Sequence, residues 1–231
     1  MDSKSFEPAV NAIWKSPLRD SIAGFASINY RLSSYPSHSN FPSSPDDRSR
    51  NVHYPAHIGD VAQALLYLDE NYQIGNRYLL VGHSAGATMA FELHNSYLQS
   101  GSLPRPVCVL GISGIFDFEA FVKNHSEIPV YKKIMDNAFP DKSLWEEASP
   151  YISRSLGHIW EQAKAVVISH SKQDGLVEYS QATSMLERVR AIAHSSERVH
   201  FLEASGAHDE IWENGNILAG LIMESLKMLW S

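Results

Sequence analysis

The stretch LLVGHSAGATMAF, Leu79–Phe91, runs from apolar residues into a serine between two glycines, and then into small residues that favour a helix. Gly82-His83-Ser84-Ala85-Gly86 is a G-x-S-x-G pattern. One reading is an ordinary strand-to-helix turn with a capping serine. The other is a nucleophile elbow, in which a tight, strained turn lifts the serine hydroxyl above the end of a buried strand. Such a turn needs small neighbours. The helix after it aims its N-terminus at the reacting centre and favours developing negative charge there. The amide of Ala85 can then donate to an oxyanion.

Working outward, short apolar runs alternate with segments of helical period. Strands are predicted over Ala26–Arg31, Arg77–Gly82, Pro106–Ile112, Ala165–His170 and Arg198–Glu203. Helices are predicted over Pro55–Tyr72, with Ile58, Val61, Leu65 and Leu68 on one face, and over Ser84–Leu98, Tyr179–His194 and Glu210–Trp230. The serine- and proline-rich stretch Ser33–Asn51 reads as a long surface loop, and Phe116–Trp160 is aromatic without a clear period. Fully apolar strands alternating with helices imply an α/β fold. Its sheet is mostly parallel and covered on both faces, with function at the strands' C-terminal ends. The whole chain, 1–231, reads as a single domain.

A serine needs a base. In this architecture an acid and then a histidine follow it along the chain. Asp174 lies in the loop HSKQDG after the fourth predicted strand, and His208 in GAHDE after the fifth. Each has an ordinary reading, as a turn residue before glycine and as a solvated loop histidine. In order at consecutive strand ends, Ser84, Asp174 and His208 read as a catalytic triad. His170 is a weaker candidate base. Asp209 and Glu210 read as helix N-terminal charges, and Ser113 falls just past a strand end. Cys108, the one cysteine, sits mid-strand and reads as core.

The rest of the composition excludes several classes. A formal net charge of -7 without a basic run argues against nucleic acid. The longest apolar runs fall short of the roughly 18 residues that cross a bilayer, and no signal peptide is read at the N-terminus. With a single cysteine, the expectation is a cytoplasmic protein of a reducing compartment. His and Cys spacings do not suggest a metal, and the expected cofactor is none.

The runs ASINYRLSSYP, HIGDVAQALLYLDENY and RYLLVGHSAGATMAFEL, with GISGIFDFEAFV, WEEASPY, HSKQDGLVEYSQ and GAHDEIWENG, resemble the α/β-hydrolase fold. More narrowly they resemble the fungal kynurenine formamidases, over nearly the whole chain from about Phe25. The resemblance implies hydrolysis of N-formylkynurenine to kynurenine and formate, a step of tryptophan breakdown toward NAD. It implies Ser84, Asp174 and His208 as the triad, acting through a formyl-enzyme. Formyl is the smallest acyl group, so specificity is expected on the leaving-group side, in a pocket of His83, Phe116, Phe118 and Trp212. The family carries a His-Gly-Gly-x-Trp stretch whose amides complete the oxyanion hole. That stretch is absent here, and the expectation is an N-terminally truncated form. Two other outcomes stay open: a carboxylesterase acting on small esters, and a catalytically impaired fold that only binds. An exposed sheet edge and the family's habit leave room for a homodimer.

Overall fold

The computed structural model describes residues 3–98, 101–155, 157–193 and 195–230. In chain order the helices and strands are α1 (Glu7–Trp14), α2 (Ala56–Tyr72), β1 (Leu79–His83), α3 (Ala85–Glu92), β2 (Cys108–Ile112), α4 (Phe118–Asn124), α5 (Pro129–Ala138), α6 (Trp145–Ala148), β3 (Ala165–Ser171), α7 (Tyr179–Ile192), β4 (Val199–Ala204), α8 (Glu210–Glu213) and α9 (Gly215–Lys227). His194, the last residue of one predicted helix, lies outside the described residues.

The four strands form one parallel sheet in the order β1-β2-β3-β4. The register pairs His83 with Ile112 and Ile112 with Ser169, so β1 and β2 end level while β3 and β4 run on for two more paired residues, to Ser171 and Ala204. Every position of β2 and β3 is buried, as strands with helices on both faces require. On one face α2, α3 and α7 enclose a core around Leu65, Phe91, Trp160, Ile168 and Met185. On the other, α1 and α9 enclose a second core of Ile13, Leu110, Val167, Leu218 and Ile222. The fold is therefore α/β with a parallel sheet between two helical layers, as the alternating pattern predicts.

Three sequence expectations need correction. Ala26–Arg31 is not a strand. Among the described residues it joins no strand ladder. It is held by side chains instead. Ile28 and Tyr30 pack into the first core, and Arg31 grips Asp60 through two nitrogens, at 2.8 and 2.6 Å. The helix predicted through Leu98 stops at Glu92. Leu93 turns to extended backbone there, and its carbonyl accepts the amide of Ile159. The C-terminal helix is two helices, because Asn214 leaves helical backbone and its side chain caps α9 at the amide of Asn216.

The aperiodic region after β2 forms α4, α5 and α6, which enclose their own small cluster of Phe118, Met135, Trp145 and Ala148. The loop Ser33–Asn51 is tied down. Asn51 donates to the carbonyls of Ser44 and Asp47. Lys133 of α5 reaches Ser37 at 2.5 Å, and just beyond the loop the amide of Tyr54 donates to Ala138.

Candidate active site

Ser84 follows β1 directly and has φ 54° and ψ −123°, left-handed backbone that a side chain rarely adopts. The turn is fixed from both sides. The Ser84 amide continues the sheet ladder to Ile112 O at 2.9 Å, and the Ser84 carbonyl accepts from Ala87 as α3 begins. A Cβ at Gly82 would meet Gly86 O at 2.2 Å and Ala87 N at 2.5 Å. The backbone of the turn itself thus demands glycine at that position. At Gly86 a Cβ would meet nothing within 4 Å, so the expected need for a small residue holds on one side of the serine only. Ala85 is the first residue of α3, and its N–H has no intrahelical acceptor.

Asp174 and His208 arrive from the next loops along the same sheet edge. His208 Nδ1 donates to Asp174 Oδ2 at 2.8 Å. Asp174 Oδ1 accepts the amides of Leu176 and Val177, both at 2.9 Å. The Asp174 side chain is fully buried and that of His208 nearly so. Burial alone would raise the carboxyl's pKa. The hydrogen bonds from His208, Val177 and Leu176 outweigh it and hold Asp174 well below the usual carboxylate range. Asp174 is therefore an anion, and the tautomer it selects on His208 carries its proton on Nδ1. Gln173 ties the two loops together, its side-chain oxygen accepting the amide of Gly206 at 2.7 Å. Sequence reasoning missed this link, although Gln173 stands beside Asp174 in the quoted loop.

The His208 ring lies 4.5 Å from that of His83, the residue before the serine, at an angle of 50°. This contact brings His208 to the residue before Ser84. Among the described residues Ser84 Oγ makes no hydrogen bond to His208. Catalytic hydrogen bonds are often open in an unliganded site and tighten on binding.

The expected pocket wall fares differently. Phe116 is fully buried with its ring edge-to-face on Phe91. Phe118 is 4% exposed and packs with Phe139 and Trp145. Both are core residues, because each has an apolar cluster at hand to bury it. Trp212 packs against the α1/α9 core and donates to Asp209 at 3.0 Å. His83 backs the His208 ring, and burial followed by the neighbouring His208 brings its pKa down to about 4. Glu210 accepts the amide of Ala207, and Asp209 and Glu210 stand at the start of α8. Ser113 is buried at the end of β2, with φ 49°. Cys108 is buried, and burial pushes its thiol up to about 12. Among the described residues no group of three or more His, Cys, Asp or Glu could hold a metal, and no helix is long and apolar enough to cross a membrane.

A protein-family model described as BD-FAE matches residues 43–189. The chain belongs to the BD-FAE family. The matched span of this BD-FAE chain contains Ser84 and Asp174 and stops short of His208. The chain is 32% identical over 211 residues to a kynurenine formamidase of Aspergillus versicolor, covering 83% of this chain and 70% of that one. It is 29% identical over 228 residues to a kynurenine formamidase-like hydrolase of Fusarium equiseti, covering 96% and 76%. A carboxyl esterase from the mycorrhizal fungus Tuber melanosporum superposes with a TM-score of 0.66 at 15% identity, covering 100% of this chain and 73% of that one. Likeness at that identity speaks to the fold. The BD-FAE chain is thus an α/β-hydrolase resembling the fungal kynurenine formamidases, and a hydrolase by its relatives.

Proposed function

We propose that this hydrolase cleaves N-formylkynurenine to kynurenine and formate with Ser84 as nucleophile, His208 as base and Asp174 as its orienting acid. The observation that carries the reading is the juxtaposition at one sheet edge. A serine on strained backbone follows His83, whose ring packs on that of His208, and a nitrogen of His208 is bonded to a buried, twice-capped carboxylate. The substrate comes from the likeness to kynurenine formamidases.

With Nδ1–H held by Asp174, His208 Nε2 is the lone-pair nitrogen and takes the proton of Ser84 Oγ as it attacks the formyl carbon. Negative charge moves onto the formyl oxygen, where the Ala85 N–H at the start of α3 donates. The imidazolium, stabilised by Asp174, then protonates the departing arylamine, which a neutral amine requires. Kynurenine leaves and Ser84 carries a formyl ester. Water gives a proton to Nε2 as it attacks that ester; the imidazolium returns this proton to Ser84 Oγ as the acyl C–O bond breaks, releasing the free serine and formic acid, which ionises to formate.

The test is kynurenine release by the wild-type chain and by Ser84→Ala, with a short p-nitrophenyl ester alongside. Turnover of the formamide that Ser84→Ala lowers by four orders of magnitude or more supports the reading. Turnover of the ester with none of the formamide moves the chain to the esterases. Formamide turnover that survives in Ser84→Ala removes the serine mechanism.

A further inference from the structure

His170 is the last residue but one of β3 and is 0% exposed. The mechanism above does not use it. Its Nε2 lies 2.9 Å from the carbonyl of Val177 and 3.6 Å from Asp174 Oδ2. A carbonyl only accepts, so Nε2 carries the proton. Nδ1 is buried with no hydrogen-bond partner among the described residues, as suits a bare ring nitrogen. Burial lowers the pKa of this ring, which agrees with a neutral donor.

The peptide His170 holds is the one that matters to the acid. The amide of Val177 donates to Asp174 Oδ1, while the carbonyl of the same residue accepts from His170. The Asp174–Val177 turn is therefore clamped from the carboxylate inside it and from the strand beneath it. Asp174 Oδ2, the oxygen bonded to His208, lies 3.6 Å from the same Nε2. An aliphatic residue would fill this space, yet it would leave the Val177 carbonyl without its donor and the carboxylate free to rotate away from His208.

We propose that His170 is a positioning residue for the triad acid, its Nε2–H holding the Val177 carbonyl and abutting Asp174 Oδ2 so that the carboxylate stays against His208. The inference rests on the reading of Asp174 and His208 as the acid–base pair. The charged and titratable groups around His170 are Asp174, His208 and Glu178, and Tyr179 lies edge-on to its ring at 5.6 Å. Glu178 and Tyr179 are unchanged in the comparison below, so neither accounts for a difference between variants.

The experiment compares wild type with His170→Gln, which keeps an N–H donor, and with His170→Met and His170→Leu, which fill the volume without one. The Nδ1–H proton of His208, whose low-field resonance reports its bond to Asp174, is followed by NMR, and thermal stability is recorded beside it. If the carboxylate loosens, that hydrogen bond lengthens and the proton exchanges faster with water. Its resonance is expected to move upfield or broaden away in the apolar variants and to return toward wild type in His170→Gln. Formamide turnover should drop about 10–100-fold in kcat with KM little changed, as for a misplaced catalytic group. An unchanged His208 Nδ1–H resonance in a folded apolar variant, whatever its stability, overturns the proposal and leaves His170 as packing. Two apolar variants guard against one that does not fold. The resonance needs no turnover, so a chain that cleaves no formamide still decides this point, and the substrate reading stands or falls separately.

Discussion

Replacing Ser84 with glycine should make the protein more stable while removing the proposed nucleophile. Ser84 holds φ 54° and ψ −123°, and a side chain in such sparsely populated backbone costs about 1–3 kcal/mol. Glycine relieves that cost but loses about 0.4–1 kcal/mol through the greater freedom of the unfolded chain. The net expectation is a gain of about 1 kcal/mol, or about 2–4 °C in Tm for a domain of this size. Ser84→Ala is the control. Alanine keeps the Cβ and hence the strain, and the serine hydroxyl has no hydrogen bond to lose among the described residues, so its Tm should stay close to wild type. Differential scanning calorimetry of the three proteins at one concentration and pH gives the comparison. If the glycine variant melts no higher than the alanine one, the strain does not reside in Ser84, and the account of the elbow as a spring held by Ile112 and Ala87 is wrong. Both variants should lack turnover.

Other outcomes follow from the same geometry. Gly82→Ala would drive a Cβ into Gly86 O at 2.2 Å; backbone must move, and a loss of at least about 1–3 kcal/mol with misplaced Ser84 is expected in denaturant melts and turnover assays. Asp174→Asn should lower kcat about 10²–10⁴-fold. Because the folded state depresses the Asp174 pKa, the stability it contributes is present above the unfolded value near 4 and lost as pH falls through the folded one. The stability gap between Asp174→Asn and wild type should therefore narrow below about pH 4. Glu92 is buried, and burial pushes its carboxyl up to about 8 despite hydrogen bonding from Tyr97 and Tyr54. Between its ordinary 4.5 and about 8 the folded state keeps a proton that the unfolded chain has lost, so stability falls as pH rises through that window. Glu92→Gln should flatten that part of the curve in melts from pH 5 to 8, and a slope unchanged by the substitution would refute it.

What could be read from the sequence was whatever a local pattern is obliged to express. β2 and β3 are buried on both faces, so their residues must be apolar without interruption, and PVCVLGI and AVVISH read as strands for that reason. The elbow is legible because a backbone contact at 2.2 Å excludes every residue but glycine at position 82. Asp174 and His208 were legible through their order and their places after strands, although their 2.8 Å contact spans 34 residues. Ala26–Arg31 has a strand's composition, yet a strand is a pairing rather than a composition, and nothing in the segment says whether a neighbour will be there. Phe116 and Phe118 show a similar gap, since the structure buries both. An aromatic residue near a strand end serves a pocket or a core equally well, and only the rings it meets, Phe91 for one and Trp145 and Phe139 for the other, decide which.

Histidine shows the limit most sharply, because its chemistry is assigned by neighbours and not by its own position. His83, His170 and His208 all lie near the same strand ends. His208 meets a carboxylate with one nitrogen, and its ring packs on that of His83, the residue before Ser84. His83 is held neutral by burial, with the neighbouring His208 adding to the effect. His170 meets a carbonyl, which makes it a donor and removes it as a base on the face nearest the acid. The sequence offered His170 as a rival for the role of His208. In the folded chain the carbonyl of Val177 takes the Nε2–H of His170 and Asp174 takes the Nδ1–H of His208, so two histidines near the same strand ends are given different partners by a carbonyl and a carboxylate.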